Sequence, residues 1–449
     1  MTLLLYPLWW ALGLGVLIFF VAAVPMAVIL LHRHRRGYAL RLPPAFILWL
    51  IFLAVVATGI FTLGADPAGT VPGTATSRLV PYAYRLGAYL ALTILLLFAG
   101  NLDERELPQR RLVGLLGWLF GVTVCGGVLG GMYGTFEFVS PVEALLPTSL
   151  REMGFVRSLV HPSLAQVMDI LGTGHPRPAA PWGYTNTWGN NVCLLVGWFV
   201  VAAWAYPRRR LARLAALGCL AIATVPIVYS LNRGLWIGLA VTTCYVAVRL
   251  VPRGRYAALG ALAVVATTFA VALAVTPLGH VVEQRLAHAK SNGVRLYTTE
   301  HAISGLTQSP LIGFGSTRNT EGGRHSIAIG ESPDCERCGN FTVGGNGQLW
   351  QLLFAHGLIG TVAYLGFFGY GLWRFRHDTS PLGLAGSAAI VSSFAAMFWY
   401  NALVTPLALL MCGYALLWRS HWTVTRGRDR ARPDTAAGRH RRLDQGVHP

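Results

Sequence analysis

Residues 79–133 read LVPYAYRLGAYLALTILLLFAGNLDERELPQRRLVGLLGWLFGVTVCGGVLGGMY. Two apolar runs, 79–101 and 112–133, are each long enough to cross a hydrocarbon core as a helix, and a short linker between them carries Arg105, Arg110 and Arg111. Working outward, the same unit recurs along the whole chain. Apolar runs fall near 5–31, 45–64, 79–101, 112–133, 190–206, 213–230, 234–249, 257–276, 349–372, 382–400 and 406–418, which predicts about eleven transmembrane helices. The fold class expected is an all-α integral membrane protein.

Basic residues cluster in every second connection: Arg33, Arg35, Arg36 and Arg41, then Arg105, Arg110 and Arg111, then Arg208, Arg209 and Arg210, then Arg253 and Arg255, then Arg374 and Arg376. Positive charge marks the cytoplasmic side, so this alternation puts the N-terminus outside and the C-terminus inside. The basic segment 419–449 closes the pattern and is expected to be disordered. Much of the net charge of +18 is then a topology signal together with attraction to anionic headgroups, and a nucleic-acid partner is not expected. The first run carries its charges after it and reads as a retained helix rather than a cleaved signal. The acidic DERE at 103–106 offsets the neighbouring arginines.

Three parts follow: residues 1–189, with the N-terminal helices and a first long outer loop at 134–189; residues 190–418, a helical core with a second outer loop at 277–348 forming a partly helical lobe; and the tail, 419–449. No Asp or Glu falls inside a run, whereas transporters coupled to protons or sodium commonly keep a carboxylate in the bundle. Chemistry is sought in the two outer loops.

Two arginines lie on the outer side, where such charge is normally sparse: Arg233 in SLNRG and Arg295 in SNGVRLYTTEH. Arg233 has two readings. It can snorkel to the headgroups, or, with Ser230, Asn232 and Gly234 forming a polar turn ahead of a helix N-terminus, it can seat an anion. A guanidinium bridges phosphate oxygens and stays charged. Arg295 lies in a stretch with near-helical apolar spacing, expected to form helices at the membrane surface, where Arg285 and Lys290 are ordinary solvated charges.

The ordered set SLNRG (230–234), an arginine in the outer loop, SPLIGFG (309–315) and NGQLWQLLFAHGLIG (346–360) resembles the O-antigen ligase and O-antigen polymerase superfamily, over roughly 190–372, about 40% of the chain. The resemblance implies a bacterial plasma-membrane glycosyltransferase that needs no metal and no cofactor. It would move a glycan from a polyprenyl-diphosphate donor to an acceptor hydroxyl of a glycan or lipid. The family's functional arginines map onto Arg233 and Arg295. Its catalytic histidine falls at Asn346, which is no general base near neutral pH. The base is then displaced, with His325, Glu300, His301 and Glu331 as candidates, or Asn346 positions substrate by hydrogen bonding.

Around these, Arg177, Trp182, Tyr184, Asn186 and Trp188 in the first outer loop, with Asn232, suit diphosphate or glycan binding; an interfacial aromatic belt competes for the aromatics. His356 is expected to hydrogen-bond within the bundle. Gly126, Gly127, Gly130 and Gly131, and Gly357, Gly360 and Gly366, are expected to allow close helix approach. Cys125, Cys193, Cys219, Cys244 and Cys412 read as packing residues, and Cys335 and Cys338 as a short outer disulfide rather than a zinc site. Two further classes stay open: a transporter or flippase of lipid-linked glycans, and a non-catalytic partner in polysaccharide export. The composition, rich in Arg, Ala and Gly, points to a polysaccharide polymerase over a ligase without deciding between them.

Overall fold

The computed structural model describes residues 1–169, 174–206, 209–257, short pieces of 259–283, 290–320 and 342–431. In chain order its helices are α1 (Tyr6–Ala11), α2 (Ile18–Arg35), α3 (Phe46–Thr58), α4 (Ala75–Asn101), α5 (Gln109–Met132), α6 (Pro141–Leu145), α7 (Thr148–Arg151), α8 (Gly154–Val160), α9 (Thr185–Val200), α10 (Arg210–Tyr229), α11 (Arg233–Leu250), α12 (Lys290–Gln308), α13 (Gln348–Arg374), α14 (Pro381–Ala396) and α15 (Thr405–Ala431). Six are long and apolar enough to cross a membrane: α2, α4, α5, α9 with its π-helical extension, α10 and α13. α3 and α14 are shorter apolar helices. The chain is a multi-pass helical membrane protein.

The ends of these helices sort by charge. At one end Arg33 meets Glu106 at 2.5 Å, Arg419 meets Glu104 at 3.2 Å, and Arg249 donates to the Asp378 carbonyl at 2.8 Å. The hydrogen bond from Arg33 holds Glu106 below the usual carboxylate range. α4 carries the chain from there to the opposite end, about 40 Å away at 1.5 Å per residue.

The bundle is held by aromatic packing between α3, α4, α13 and α15. Trp49 lies against Phe52 and Phe367 at 5.1 and 5.3 Å, and Phe367 against Tyr414 at 5.0 Å. The outward faces keep Val21, Val24 and Val28 of α2 and Leu211, Leu214 and Leu217 of α10 exposed, as helices solvated by lipid do. Glycines let the loops approach: a Cβ at Gly126 would sit 2.3 Å from the Ala180 carbonyl, and one at Gly130 would sit 2.5 Å from that of Leu164. The expectation of close packing holds there, with loop backbone rather than a helix as the neighbour; Gly131 has open space around it.

Two expectations change. The single span over 5–31 is broken into α1 and α2 by the turn at 12–17, where Gly13 takes φ +82° beneath Ser140 and the Val160 carbonyl. The fold is also not wholly helical: in the long connection at 134–189 β1 (Ala165–Asp169) pairs antiparallel with β2 (Gly174–Pro178). That hairpin edges α5 and α9. The run at 257–276 lies largely, and residues 321–341 wholly, outside the described residues.

Candidate functional site

The SLNRG turn is built from the inside. Leu231 adopts φ +53° and is buried, which ends α10 and starts α11 at Arg233. Arg177 on β2 donates from Nε to the Ser230 carbonyl at 2.6 Å, and Thr185 donates from its hydroxyl to the Arg177 carbonyl at 3.3 Å. Asn232 is 2% exposed: its Nδ2 donates to the Thr185 carbonyl at 3.3 Å, and its Oδ1 accepts from the Tyr400 hydroxyl at 2.5 Å. Gly234 is required because a Cβ there would overlap Trp399 and approach the Tyr400 hydroxyl at 2.8 Å.

Arg295 arrives from α12, which lies along α13 through Thr298, Ala302 and Gly305. Asn346 ties this helix to the start of α13: its Nδ2 donates to the Arg295 carbonyl at 3.2 Å and to Thr299 Oγ1 at 3.1 Å. Its Oδ1 is buried without a partner among the described residues. The Arg295 guanidinium donates no hydrogen bond to any described residue, and its pKa is lowered, first by burial and further by the charge of Arg233. The two arginines are therefore electrostatic neighbours. Arg295 and Arg177 both act on Tyr400, which joins the cluster from the connection after α14.

The two other motif runs lie against each other. α13 is interrupted at Gly357, with φ +59°, and the 309–315 segment fits into the break. Phe314 N–H donates to the Phe354 carbonyl at 3.0 Å and Gly315 N–H to that of Ala355 at 2.8 Å. In return Leu358 N–H donates to the Pro310 carbonyl at 2.7 Å. Backbone groups freed by the break are thus satisfied within the protein. The neighbour of Gly357 is this segment, not a helix as expected.

A second arginine group, which sequence reading missed, fixes the same segment. Arg85 in α4 donates to Ser316 Oγ at 2.6 Å and Thr317 Oγ1 at 2.7 Å. Arg78 pairs with Asp66 and donates to the Leu63 carbonyl at 2.8 Å. Arg318 caps the carbonyls of Thr62, Leu63, Ala65 and Phe314. Burial lowers Arg318 to about 10, with Arg78 adding to the effect. An arginine inside the run 79–101 was the available signal.

Several sequence expectations are corrected. Trp188 is no sugar platform, and Trp182 is no exposed one: both are buried, donating to Thr123 Oγ1 at 3.0 Å (Trp182) and to its carbonyl at 2.9 Å (Trp188), and Trp182 lies on Tyr6 at 4.5 Å. Asn232 is engaged by protein on both side-chain atoms and braces the turn rather than facing a ligand. Asn186 and Tyr184 are the exposed members of that stretch. His356 makes no well-aligned hydrogen bond from either ring nitrogen among the described residues, and the ring stands edge-on to Phe52 at 5.5 Å and Tyr89 at 6.2 Å.

Of the displaced-base candidates, His301 bonds the Tyr297 carbonyl at 2.9 Å, Glu300 is exposed, and His325 and Glu331 lie outside the described residues, as do Cys335 and Cys338. Cys193 and Cys412 are buried and unpaired, as packing residues are. Among the described residues no three His, Cys, Asp or Glu side chains gather as a metal site.

The arrangement offers positive charge from three separate elements, at the end of the bundle away from the Arg33–Glu106 pair, and is suited to an anion with several oxygens. No family model matches the chain, and no curated protein is significantly similar to it.

Proposed function

We propose that the chain is a membrane glycosyltransferase of the O-antigen ligase and polymerase type, acting on a polyprenyl-diphosphate glycan at the extracytoplasmic face of a bacterial plasma membrane. The observation that carries this reading is the pairing of Arg233 with Arg295. Two guanidinium groups from separate helices that act on one another suit an anion with several oxygens, and a diphosphate takes both. As the anomeric bond breaks, charge builds on that diphosphate, and fixed guanidinium groups stabilise it. Eleven membrane crossings, with the N-terminus outside and the basic tail inside, complete the proposed topology. The ordering of the SPLIGFG and AHGLIG runs against each other supports the same reading.

The test is transfer by purified protein in nanodiscs from extracted polyprenyl-diphosphate glycans. Arg233→Ala and Arg295→Ala are each expected to lose about one to two orders of magnitude in rate, in line with roughly 1.5–3 kcal/mol per charge-assisted bond. Donor binding and translocation without sugar transfer would overturn the transferase reading and establish a carrier. Product length separates polymerase from ligase.

A further inference from the structure

Asn346 cannot take a proton from an acceptor hydroxyl, so a transferase built on this chain lacks a base where its family keeps one. The first outer loop holds a group with the required properties. His161, just after α8, bonds through Nδ1 to the Glu143 carboxylate of α6 at 2.7 Å. Glu143 is 3% exposed, and α6 is fixed by Ser140, whose Oγ accepts from the Glu143 N–H at 3.1 Å and donates to the Val160 carbonyl at 2.6 Å.

With Glu143 ionised, Nδ1 carries the proton and Nε2 holds the lone pair. Nε2 has no hydrogen-bond partner among the described residues. The Glu137 carboxylate, at 3.7 Å, is too far to bond it. A histidine oriented by a buried carboxylate, with its second nitrogen unpartnered, is the pairing used where a hydroxyl must be deprotonated.

His161 also lines a cavity of about 90 Å³, together with Trp10, Tyr84, Tyr184, Thr187 and Thr405. Flat aromatic faces and hydroxyls are what a sugar ring requires. Two segments of chain border both this cavity and the arginine cluster. In the first, Tyr184 and Thr187 line the cavity while the Thr185 carbonyl holds Asn232. In the second, Leu403 and Thr405 line it while Tyr400 bonds Asn232.

We propose that this cavity receives the hydroxyl-bearing edge of the acceptor saccharide and that His161 is the general base, with Glu143 its positioning residue. This rests on the transferase reading. In the step, the acceptor O–H gives its proton to His161 Nε2 and the acceptor oxygen bonds the anomeric carbon. The anomeric C–O bond breaks, its electron pair leaving on the polyprenyl diphosphate held by Arg233 and Arg295. The imidazolium then returns its proton to water. The charged and titratable groups facing the imidazole or the cavity are Glu143, Glu137, Tyr6, Tyr84 and Tyr184.

The experiment measures transfer in nanodiscs across pH for wild type, His161→Gln, Glu143→Gln and Glu143→Asp, with donor affinity and thermal stability recorded for each. His161→Gln is expected to lose about 10²–10⁴-fold in rate, with the acidic limb of the profile gone and donor affinity unchanged. Glu143→Gln should move that limb and Glu143→Asp partly restore it, which a merely structural pair would not do. For His161→Ala, added imidazole should recover part of the rate. Wild-type transfer with His161→Gln retaining both rate and profile overturns the base assignment alone. Absence of transfer by wild type that binds donor overturns the transferase reading, and the assignment with it.

Discussion

Asn346 donates its side-chain amide to the backbone carbonyl of Arg295, so the residue just ahead of α13 is tied to the turn of α12 that carries that arginine. Replacing Asn346 with Ala removes this bond and the one to Thr299. Each is worth about 0.5–1.5 kcal/mol. Donor affinity, measured by titration of wild type and variant, is expected to fall by about tenfold.

Arg295 is depressed by burial and by Arg233. The sign is that of a base whose charged form is penalised in the folded state. Its guanidinium stays charged throughout the neutral range, so the penalty does not vary there with pH and is relieved by removing a charge or adding an anion. Arg233→Ala should raise the melting temperature of the ligand-free protein by on the order of 1 °C. Pyrophosphate is expected to raise the melting temperature of wild type, and the same change should abolish that rise. Scanning fluorimetry reads both.

Trp182 and Trp188 act through Thr123. Trp182→Phe should lose about 1 kcal/mol of stability, and Thr123→Val should resemble it because the same hydrogen bond is lost. Tyr184→Ala, at an exposed position, should weaken acceptor affinity and leave stability alone.

Gly357 and Gly366 both belong to α13 but differ in tolerance. A Cβ at Gly357 is strained by φ +59° and would sit 2.4 Å from the Leu311 carbonyl carbon, so Gly357→Ala should cost more than about 2 kcal/mol and reduce the yield of monodisperse protein. At Gly366 the nearest atom is the Leu48 Cδ1 methyl at 3.0 Å, which can turn aside, and Gly366→Ala should purify as wild type does.

Asp66 is held below the usual carboxylate range by the hydrogen bond from Arg78. A depressed acid stabilises the fold fully above its unfolded pKa of about 3.9 and loses that contribution as pH falls through the lower folded value. Hydrogen exchange over residues 64–74, corrected for intrinsic rates, should speed up below about pH 4 in wild type. In Asp66→Asn it should be fast at every pH.

Helix positions were legible because length and apolarity are local properties: the runs at 79–101, 112–133 and 349–372 correspond to α4, α5 and α13 to within a few residues at either end. The break after α1 was not, since what turns the chain at Gly13 is Ser140 and Val160 from a distant loop. Arg233 and Arg295 stood out because each lies beside an apolar run in a connection without a basic cluster, and the structure shows Arg233 acting on Arg295. His161 with Glu143, and Arg85 with Ser316, are long-range pairs that no spacing announces, and a Trp in an outer loop reads alike whether it faces sugar or Thr123.

The 309–315 segment supplies donors and acceptors to the interrupted α13, which gives a stretch of connecting loop the status of a helix turn. Its length is consequently set by the ladder it completes. One residue inserted between Pro310 and Phe314 would slip the amides past the carbonyls of Phe354 and Ala355 and leave them unpaired in the protein interior, so the segment has no more freedom to drift in length than the transmembrane helix it mends.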